Sequence, residues 1–206
     1  MRIVNVVKKR SKVTVLFDND ESLVIPYDLY LKNTLFVDDE LTLEQKRILE
    51  EKIEFYNIKQ SSFIYLSGRN HSKYELKVKL LKKNYNKHLV DIVLSDLERL
   101  KYLNDREFAN HYFEVKLKKK KGINLIKSEL SKKGVRREIV EEIALNFIDD
   151  PRLKESAKIL SEKKLKVLLR KKQTSLQIKQ KMFQFLLNKG FSADIIKESI
   201  EKLKLN

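Results

Sequence analysis

Apolar residues recur at every second position over 13–17 and again over 23–25, on either side of the polar stretch 18–21. This alternation is typical of a β-hairpin. An apolar segment over 3–7 adds a possible third strand, and so small a sheet needs a packing partner to be stable. The sequence therefore predicts a small antiparallel β segment at the N-terminus.

From residue 41 to the end of the chain, apolar positions recur at helical spacing. Residues that favour helix starts precede these segments: the capping-box spacings at Thr42, Ser72, Asn104 and Thr174, and the pair Asp150-Pro151. Residues suited to the left-handed conformation follow helical stretches that end in lysine: Asn84, Gly122, Gly134 and Gly190. The pattern predicts a mainly all-α protein after the N-terminal β segment.

Three of these helix ends share one recurring phrase, LLKKNY over 80–85, LSKKGV over 130–135 and LLNKGF over 186–191. Shifts of 50 and then 56 residues superpose the phrases and the apolar positions around them. A unit of this length with three helix starts predicts a three-helix repeat, and stacked copies bury faces that one copy cannot cover. We therefore predict three tandem repeats in an elongated, curved array, with these divisions: an N-terminal extension at 1–57 and repeats at 58–103, 104–149 and 150–206.

The positive charge is concentrated in the helical part. The chain has a formal net charge of +16, yet residues 1–57 carry 9 basic and 11 acidic side chains, against 36 and 18 over residues 58–206. Two dense groups stand out, the lysines over 116–121 and the 12 basic side chains of 151–190. Lysine-rich helices can simply solvate their outer faces, but so large an uncompensated excess favours an anionic partner.

The composition argues against several classes of function. The chain has no cysteine and 3 histidines without metal-ligand spacing, so we expect no metal site. Its 4 glycines do not form a phosphate-binding loop, Asp149 and Asp150 are interpreted as helix capping, and no apolar run is long enough to span a membrane. We expect a monomeric cytoplasmic protein that is not an enzyme, needs no cofactor and has no membrane partner.

Four segments in order resemble the RecX family of recombinase regulators. They are IYLSGRNHSKYEL over 64–76, the turn at 80–85, LKYLNDREFA over 100–109, and the segment 118–134, which begins KKKKG and ends in the Lys-Gly turn. The N-terminal β segment also resembles an extension found in some members. Asn84 stands where the family usually has glycine, and the third repeat diverges most, with a long basic helix predicted from about Leu153 to Lys172.

This resemblance implies a non-enzymatic modulator that binds the RecA recombinase filament on single-stranded DNA. Such proteins lie in the helical groove of the filament and restrain strand exchange, ATP turnover and coprotease activity, so they act in recombinational DNA repair and the SOS response. Direct contact with the single-stranded DNA is left open. The alternative is a helical protein that binds nucleic acid by itself, independently of a recombinase.

Candidate partner contacts lie in all three repeats. Arg69 and Lys73 flank Ser72, where the family pattern has an arginine, and the others are basic residues of the charge concentrations and of the first repeat. The full set is Arg69, Lys73, Lys77, Lys116, Lys118, Lys119, Lys120, Lys121, Lys163, Lys164, Arg170, Lys171 and Lys172. Aromatic residues interleave with these and could stack on bases, but the spacing of Tyr102, Phe108 and Tyr112 predicts core packing.

Overall fold

The computed structural model describes residues 1–170 and 173–203. It confirms the mainly α fold class, with a small antiparallel sheet preceding three triplets of helices. The elements are β1 (Ile3–Lys9), β2 (Lys12–Phe17), β3 (Ser22–Pro26), α1 (Tyr27–Asn33), α2 (Leu43–Gly68), α3 (Lys73–Leu81), α4 (Lys87–Arg99), α5 (Asp105–Lys118), α6 (Ile123–Lys132), α7 (Arg137–Leu145), α8 (Pro151–Leu168), α9 (Ser175–Asn188) and α10 (Ala193–Glu201).

The N-terminal sheet has the strand order β1-β2-β3, with both pairings antiparallel. The alternating sequence of β2 determines which face of this strand packs on the core. Val13, Val15 and Phe17 are all buried, while the residues between them face outward. Their core includes Leu49 and Ile53 of α2, so the sheet does rest on a helix. The short helix α1 was not predicted, since its seven residues show no clear apolar stripe and follow directly on Pro26.

Helix α2 begins with the predicted capping box. The Thr42 hydroxyl accepts a hydrogen bond from the Gln45 N–H at 3.1 Å, and the Gln45 side chain accepts one from the Thr42 N–H at 2.8 Å. The helix then continues for 26 residues. The boundary that we placed between residues 57 and 58 falls inside it, because buried positions continue through Ile58 to Ser62 without a helix-breaking residue. The division of the helical part at 58–103, 104–149 and 150–206 stays a prediction.

The described chain forms two compact units. One comprises residues 1–69 and 76–102, and the other comprises residues 70–75 and 103–206. The second unit has a continuous hydrophobic core built from α5 to α10, in which Phe113 stacks on Phe147 with a centroid distance of 5.0 Å.

The leucine that opens the recurring phrase is a core residue in each repeat. Leu80, Leu130 and Leu186 are 0% exposed, as are Leu76, Ile126 and Met182 one helical turn earlier. These six residues lie on α3, α6 and α9, the middle helices of the three triplets. The structure thus confirms that the sequence repeat is a repeat of three-helix units with a shared set of buried anchors.

The helix ends confirm three of the four predicted left-handed residues. Asn84, Gly134 and Gly190 have φ angles of 61°, 71° and 87°. The prediction for Gly122 was wrong, since its φ is −79° and it is the N-cap of α6. The left-handed residue after α5 is instead Lys120, with φ of 57°, two positions earlier.

Gly122 is required for a close approach between two segments. Its N–H donates to the Lys189 carbonyl at 2.8 Å, and the Asn124 N–H donates to the Gly190 carbonyl at 2.9 Å. A Cβ on Gly122 would lie 2.2 Å from the carbonyl carbon and oxygen of Gly190, and one on Gly190 would lie 2.3 Å from the Leu125 nitrogen. We call this contact, between the start of one middle helix and the turn that ends the next, the joint.

A second joint of the same kind lies at the positions that the repeat shifts predict. In the unit that contains residues 70–75 and 103–206, the Ser72 hydroxyl donates to the Lys133 carbonyl at 2.6 Å. Gly134 follows Lys133, and a Cβ on it would lie 2.3 Å from Cβ of Tyr74. Ser72 also caps α3 by accepting a hydrogen bond from the Glu75 N–H at 3.1 Å, and the Glu75 carboxylate forms a salt bridge with Lys133.

The long basic helix of the third repeat is shorter than predicted. Helix α8 begins with Asp150 as N-cap and Pro151 at its first position, as expected, but it ends at Leu168 rather than near Lys172. The last turn buries Leu168, and the next helix starts soon afterwards at the Thr174 capping box. Lys171 and Lys172 lie outside the described residues.

Replacing Gly122 with alanine tests the joint. A methyl group at this position meets backbone atoms that cannot move aside, so we expect a loss of about 1 to 3 kcal/mol in the free energy of unfolding. The matched control is Gly68→Ala, because a Cβ on Gly68 meets nothing within 4 Å. The control should leave stability unchanged or raise it by up to about 1 kcal/mol. Urea denaturation followed by circular dichroism measures both, and equal stability of the two variants would contradict the joint.

Candidate partner-binding surface

The lysine-rich segment 116–121 forms the turn that ends α5, and its fold is set by backbone hydrogen bonds. The Lys121 N–H donates to the Lys116 carbonyl at 3.2 Å, and the Lys120 N–H donates to the Leu117 carbonyl at 2.8 Å. With Lys120 left-handed, this is a Schellman ending. The buried Leu117 fixes the backbone of this turn to the core.

Two of these lysines are used inside the protein. Lys116 and Lys121 both pair with the Glu129 carboxylate of α6, Lys116 at 3.1 Å, and the Tyr112 hydroxyl donates to the same carboxylate at 2.8 Å. Burial by itself raises the pKa of Glu129, but the hydrogen bonds from Lys121, Tyr112 and Lys116 outweigh it and lower the pKa to about 2. Burial and the hydrogen bond to Glu129 raise the pKa of Tyr112. These groups form a half-buried ionic cluster that ties α5 to α6.

The other lysines of the turn form no salt bridge with Glu129. Lys118 and Lys119 are exposed and Lys120 is half-buried, and none of the three forms a salt bridge within residues 1–170 and 173–203. We call Lys118 and Lys119 the free lysine pair. Of the five lysines predicted here as partner contacts, these two have side chains that are fully available to bind an anionic surface.

The candidates of the first repeat have local roles. Arg69 is exposed and follows α2 in an extended conformation, with φ of −169°. Lys73 is half-buried, and its backbone N–H donates to the Asp105 carboxylate at 2.8 Å. Lys77 forms a salt bridge with Asp91 of α4. Lys77 is therefore partly neutralised within the fold.

The candidates of the third repeat lie on α8 and just after it. Lys163 and Arg170 are exposed, and neither forms a salt bridge with another described residue. Lys164 is half-buried, with its ammonium 5.1 Å from the centroid of the Phe185 ring, where a cation is attracted to the aromatic face. Lys171 and Lys172 lie outside the described part of the chain.

A lysine at the end of each middle helix has a role beyond helix termination. Lys83, Lys133 and Lys189 occupy the same position in the recurring phrase, and each has its ammonium over an aromatic ring, at 5.3 Å from Tyr65, 5.4 Å from Tyr112 and 5.7 Å from Phe185. The aromatic partners do not share one position in the repeat. The sequence therefore gave no signal for these cation–π contacts, although it did identify the lysines as cations near helix C-termini.

Arg152 is a further internal cation, and it joins the start of α8 to α5. Its guanidinium lies 2.8 Å from the Glu114 carboxylate and 2.6 Å from that of Asp150. Hydrogen bonds from Arg152 lower the pKa of both carboxyl groups. Asp150 also caps α8 by accepting from the Arg152 N–H at 2.9 Å, which confirms its interpretation as a capping residue.

The aromatic residues divide between the core and the surface. Phe108 is buried and Tyr112 is half-buried, as their spacing predicted. The prediction for Tyr102 was wrong, because Tyr102 is 58% exposed. Its ring forms an edge-to-face pair with Phe63 at a centroid distance of 5.1 Å. It lies in the irregular segment between α4 and α5, where helical spacing no longer determines which side is buried.

In the described ranges no three His, Asp or Glu side chains are grouped so that they could hold a metal ion. None of the helices in those ranges combines the length and apolar character needed to cross a membrane.

Comparison with known sequences identifies the second and third repeats. The family model "RecX, second three-helix domain" matches residues 104–143, and "RecX, third three-helix domain" matches residues 154–200. A regulatory protein RecX of Clostridium botulinum (strain Eklund 17B / Type B) is 31% identical over 198 residues, which cover 95% of this chain and 92% of that protein. A regulatory protein RecX of Streptococcus sanguinis (strain SK36) is 27% identical over 206 residues, covering 100% of this chain and 78% of that protein.

Solved structures show the same fold. A crystal structure of regulatory protein RecX superposes with a TM-score of 0.77 at 19% identity, over 97% of this chain and 98% of the other. The crystal structure of RecX from Lactobacillus salivarius superposes with a TM-score of 0.66 at 27% identity, over 74% of this chain and 98% of that one. The first match shows the fold alone, and it covers the N-terminal sheet as well as the helical repeats.

The ionic cluster around Glu129 predicts a pH-dependent contribution to stability. Because the pKa of Glu129 is lower in the folded chain than its ordinary value of 4.5, the stabilisation is complete above pH 4.5 and is lost as the pH falls toward 2. Glu129→Gln should therefore cost about 1 to 3 kcal/mol at pH 7. The deficit relative to the wild type should shrink between pH 4.5 and pH 2. Denaturant melts at several pH values measure this, and a deficit that does not change with pH would contradict the ionic role of Glu129.

Proposed function

The chain belongs to the RecX family of regulatory proteins, and from that premise we propose that it is a non-enzymatic regulator that binds the RecA recombinase filament on single-stranded DNA. In this proposal the helical repeats lie in the groove of the filament and contact neighbouring recombinase subunits. The bound protein inhibits strand exchange, ATP turnover and coprotease activity. The place of action is the cytoplasm, where the filament forms.

The observation that carries this proposal is the division of the basic residues into internal and outward-facing groups. Lys116, Lys121 and Lys77 pair with carboxylates of the fold, whereas the free lysine pair is exposed without such a partner in the described residues. The ionic cluster needs only two of the five lysines in the turn. The remaining positive charge is available to an anionic partner, which a nucleoprotein filament supplies through acidic protein surface and phosphate groups.

Repetition supports binding to a polymer rather than to a single small target. The helical part contains three repeats with equivalent buried residues, and each of the three repeats carries exposed cations. If each repeat makes one weak contact with a different recombinase subunit, the overall affinity exceeds that of any single contact, because the second and third contacts form at high effective concentration. A protein bound across subunits in this way would oppose the rearrangements that strand exchange and subunit turnover require.

The alternative function is direct binding of nucleic acid without a recombinase. The exposed rings of Tyr74 and Tyr102 favour this possibility, since aromatic side chains beside lysines can stack on unpaired bases. Both functions depend on positive charge, so weaker binding at high salt would not distinguish them.

A binding measurement with one labelled oligonucleotide separates the two functions. We expect the protein to bind a recombinase-coated single strand at least about tenfold more tightly than the same bare strand, equivalent to about 1.4 kcal/mol or more. Fluorescence anisotropy at fixed salt measures both affinities. Equal affinity for the coated and bare strands would reject the recombinase filament as the target and favour direct binding to nucleic acid.

Charge reversal of the free lysine pair tests the surface itself. Lys118→Glu combined with Lys119→Glu should weaken binding to the coated strand by about tenfold or more, because two favourable contacts become repulsive. Neither side chain forms a salt bridge with another described residue, and the attraction of Lys118 to Glu114 is weak, so the free energy of unfolding should change by no more than about 0.5 kcal/mol.

The control for this variant is Lys179→Glu combined with Lys181→Glu, which makes the same change in net charge at two exposed positions of α9. The control should bind the coated strand nearly as well as the wild type. If both double variants lose affinity equally, total charge alone determines binding and the free lysine pair is not a specific contact.

A further inference from the structure

The N-terminal sheet has two edge strands, β1 and β3, and the outer side of β1 is open over most of its length. Strand β1 pairs with β2 on one side, and on its other side only residues 1–3 have backbone partners, supplied by the segment 38–41. In the described chain, no backbone group outside β2 hydrogen bonds to residues 4–9. An uncovered edge of this kind can accept another strand, and proteins normally shorten it, cover it or place charges along it.

The two ends of this edge carry opposite charges. Lys8, Lys9 and Arg10 lie at the hairpin end, while Asp38 and Glu40 lie in the segment that pairs with the start of β1. The side chain of Asp38 is 73% exposed, and its carboxylate forms a salt bridge with Arg2 at 3.5 Å. An antiparallel partner strand with the same charge order would place its basic end beside this acidic end, and its acidic end beside this basic end.

The register of the hairpin defines which residues face the open edge. A two-residue turn links β1 to β2, and Lys9 pairs with Lys12 and Val7 with Thr14. In such a hairpin these pairs exchange backbone hydrogen bonds, so the backbone groups of Val6 and Lys8 point to the open edge. The side chain of Val7 lies on the outer face of the sheet and is 46% exposed.

We propose that a second copy of this chain adds its own β1 to this edge, antiparallel, so that the two N-terminal sheets become one continuous sheet. Pairing Val6 of one copy with Lys8 of the other uses the open backbone groups of both strands. A twofold axis then passes beside Val7, and the two Val7 side chains face each other. Lys9 and Arg10 of each copy approach the acidic segment 38–41 of the other.

This contact is independent of the recombinase and goes beyond the proposed function. It is small, since each copy contributes only residues 5–9 to the seam, so the pairing should be weak between proteins in dilute solution. It becomes important where copies are concentrated side by side, as they would be on a polymer. The open edge therefore provides a means for one bound copy to favour the binding of a second copy, whereas the sequence alone led us to expect a monomer.

Cysteine trapping tests the seam without recombinase or DNA. The chain has no cysteine, so Val7→Cys introduces its sole thiol. Opposite residues of a non-hydrogen-bonded antiparallel pair have Cβ atoms about 4.5 to 5.5 Å apart, close enough for a disulfide after small adjustments. Val24→Cys is the matched control, because Val24 has the same 46% exposure on the same face but lies on β3, the opposite edge of the sheet.

Under mild oxidation we expect Val7→Cys to form covalent dimers at least about tenfold faster than Val24→Cys, as followed on non-reducing gels. Adding Lys9→Glu to the Val7→Cys variant should slow dimer formation several-fold, whereas Lys12→Glu, the same charge change on β2, should have little effect.

A mixture of Asn5→Cys and Lys9→Cys provides a second trap, because these residues face each other in the same register. Equal trapping of Val7→Cys and Val24→Cys, or no trapping by either the Val7→Cys variant or the mixture, would overturn the proposal.

Discussion

The contact between Gly122 and Gly190 is the constraint on which the arrangement of the last two helical triplets depends. Two backbone hydrogen bonds, from Gly122 to Lys189 and from Asn124 to Gly190, require the two chain segments to approach more closely than any side chain allows. The earlier joint at Ser72 and Lys133 uses the same two structural positions, with a hydroxyl in place of a backbone N–H as the donor. The shifts of 50 and 56 residues in the sequence keep both joints in register.

The joints also explain how a strongly basic chain divides its charge. Each turn that accepts a helix start places a lysine carbonyl in the joint and the ammonium of that lysine over an aromatic ring, at Lys133 and at Lys189. Lys116 and Lys121 are held by Glu129, and Arg152 by Glu114 and Asp150. Positive charge inside the fold is therefore matched by carboxylates and rings. The exposed lysines that remain are those that the fold does not need, which is the physical basis for assigning them to a partner.

Local sequence predicted the elements whose cause is local. The alternation in β2, the capping boxes at Thr42 and Thr174, and the Asp150-Pro151 helix start each depend on residues within a few positions of one another. The presence of three repeats could also be predicted, because the same helix-ending phrase occurs three times in the sequence. The family resemblance extended these predictions to the whole chain and to the class of protein.

The features that the sequence did not predict depend on distant partners. In the sequence, Gly122 resembles a glycine that ends a helix. Its close contact with Gly190 is apparent only in the tertiary structure. The turn lysines look alike in the sequence, yet Glu129 lies where it reaches Lys116 and Lys121 but leaves Lys118 and Lys119 exposed. Tyr102 lies between helices, where spacing carries no information about burial. The choice of site residues within a basic run therefore required the tertiary structure.

Electron cryo-microscopy of recombinase filaments, assembled on single-stranded DNA in the presence of this protein, tests most directly whether the helical repeats bind the filament. We expect density for the helical repeats along the filament groove, with the turn that carries Lys118 and Lys119 against the filament surface. Filaments without bound protein at saturating concentration, or bound protein whose 116–121 turn faces solvent, would contradict it.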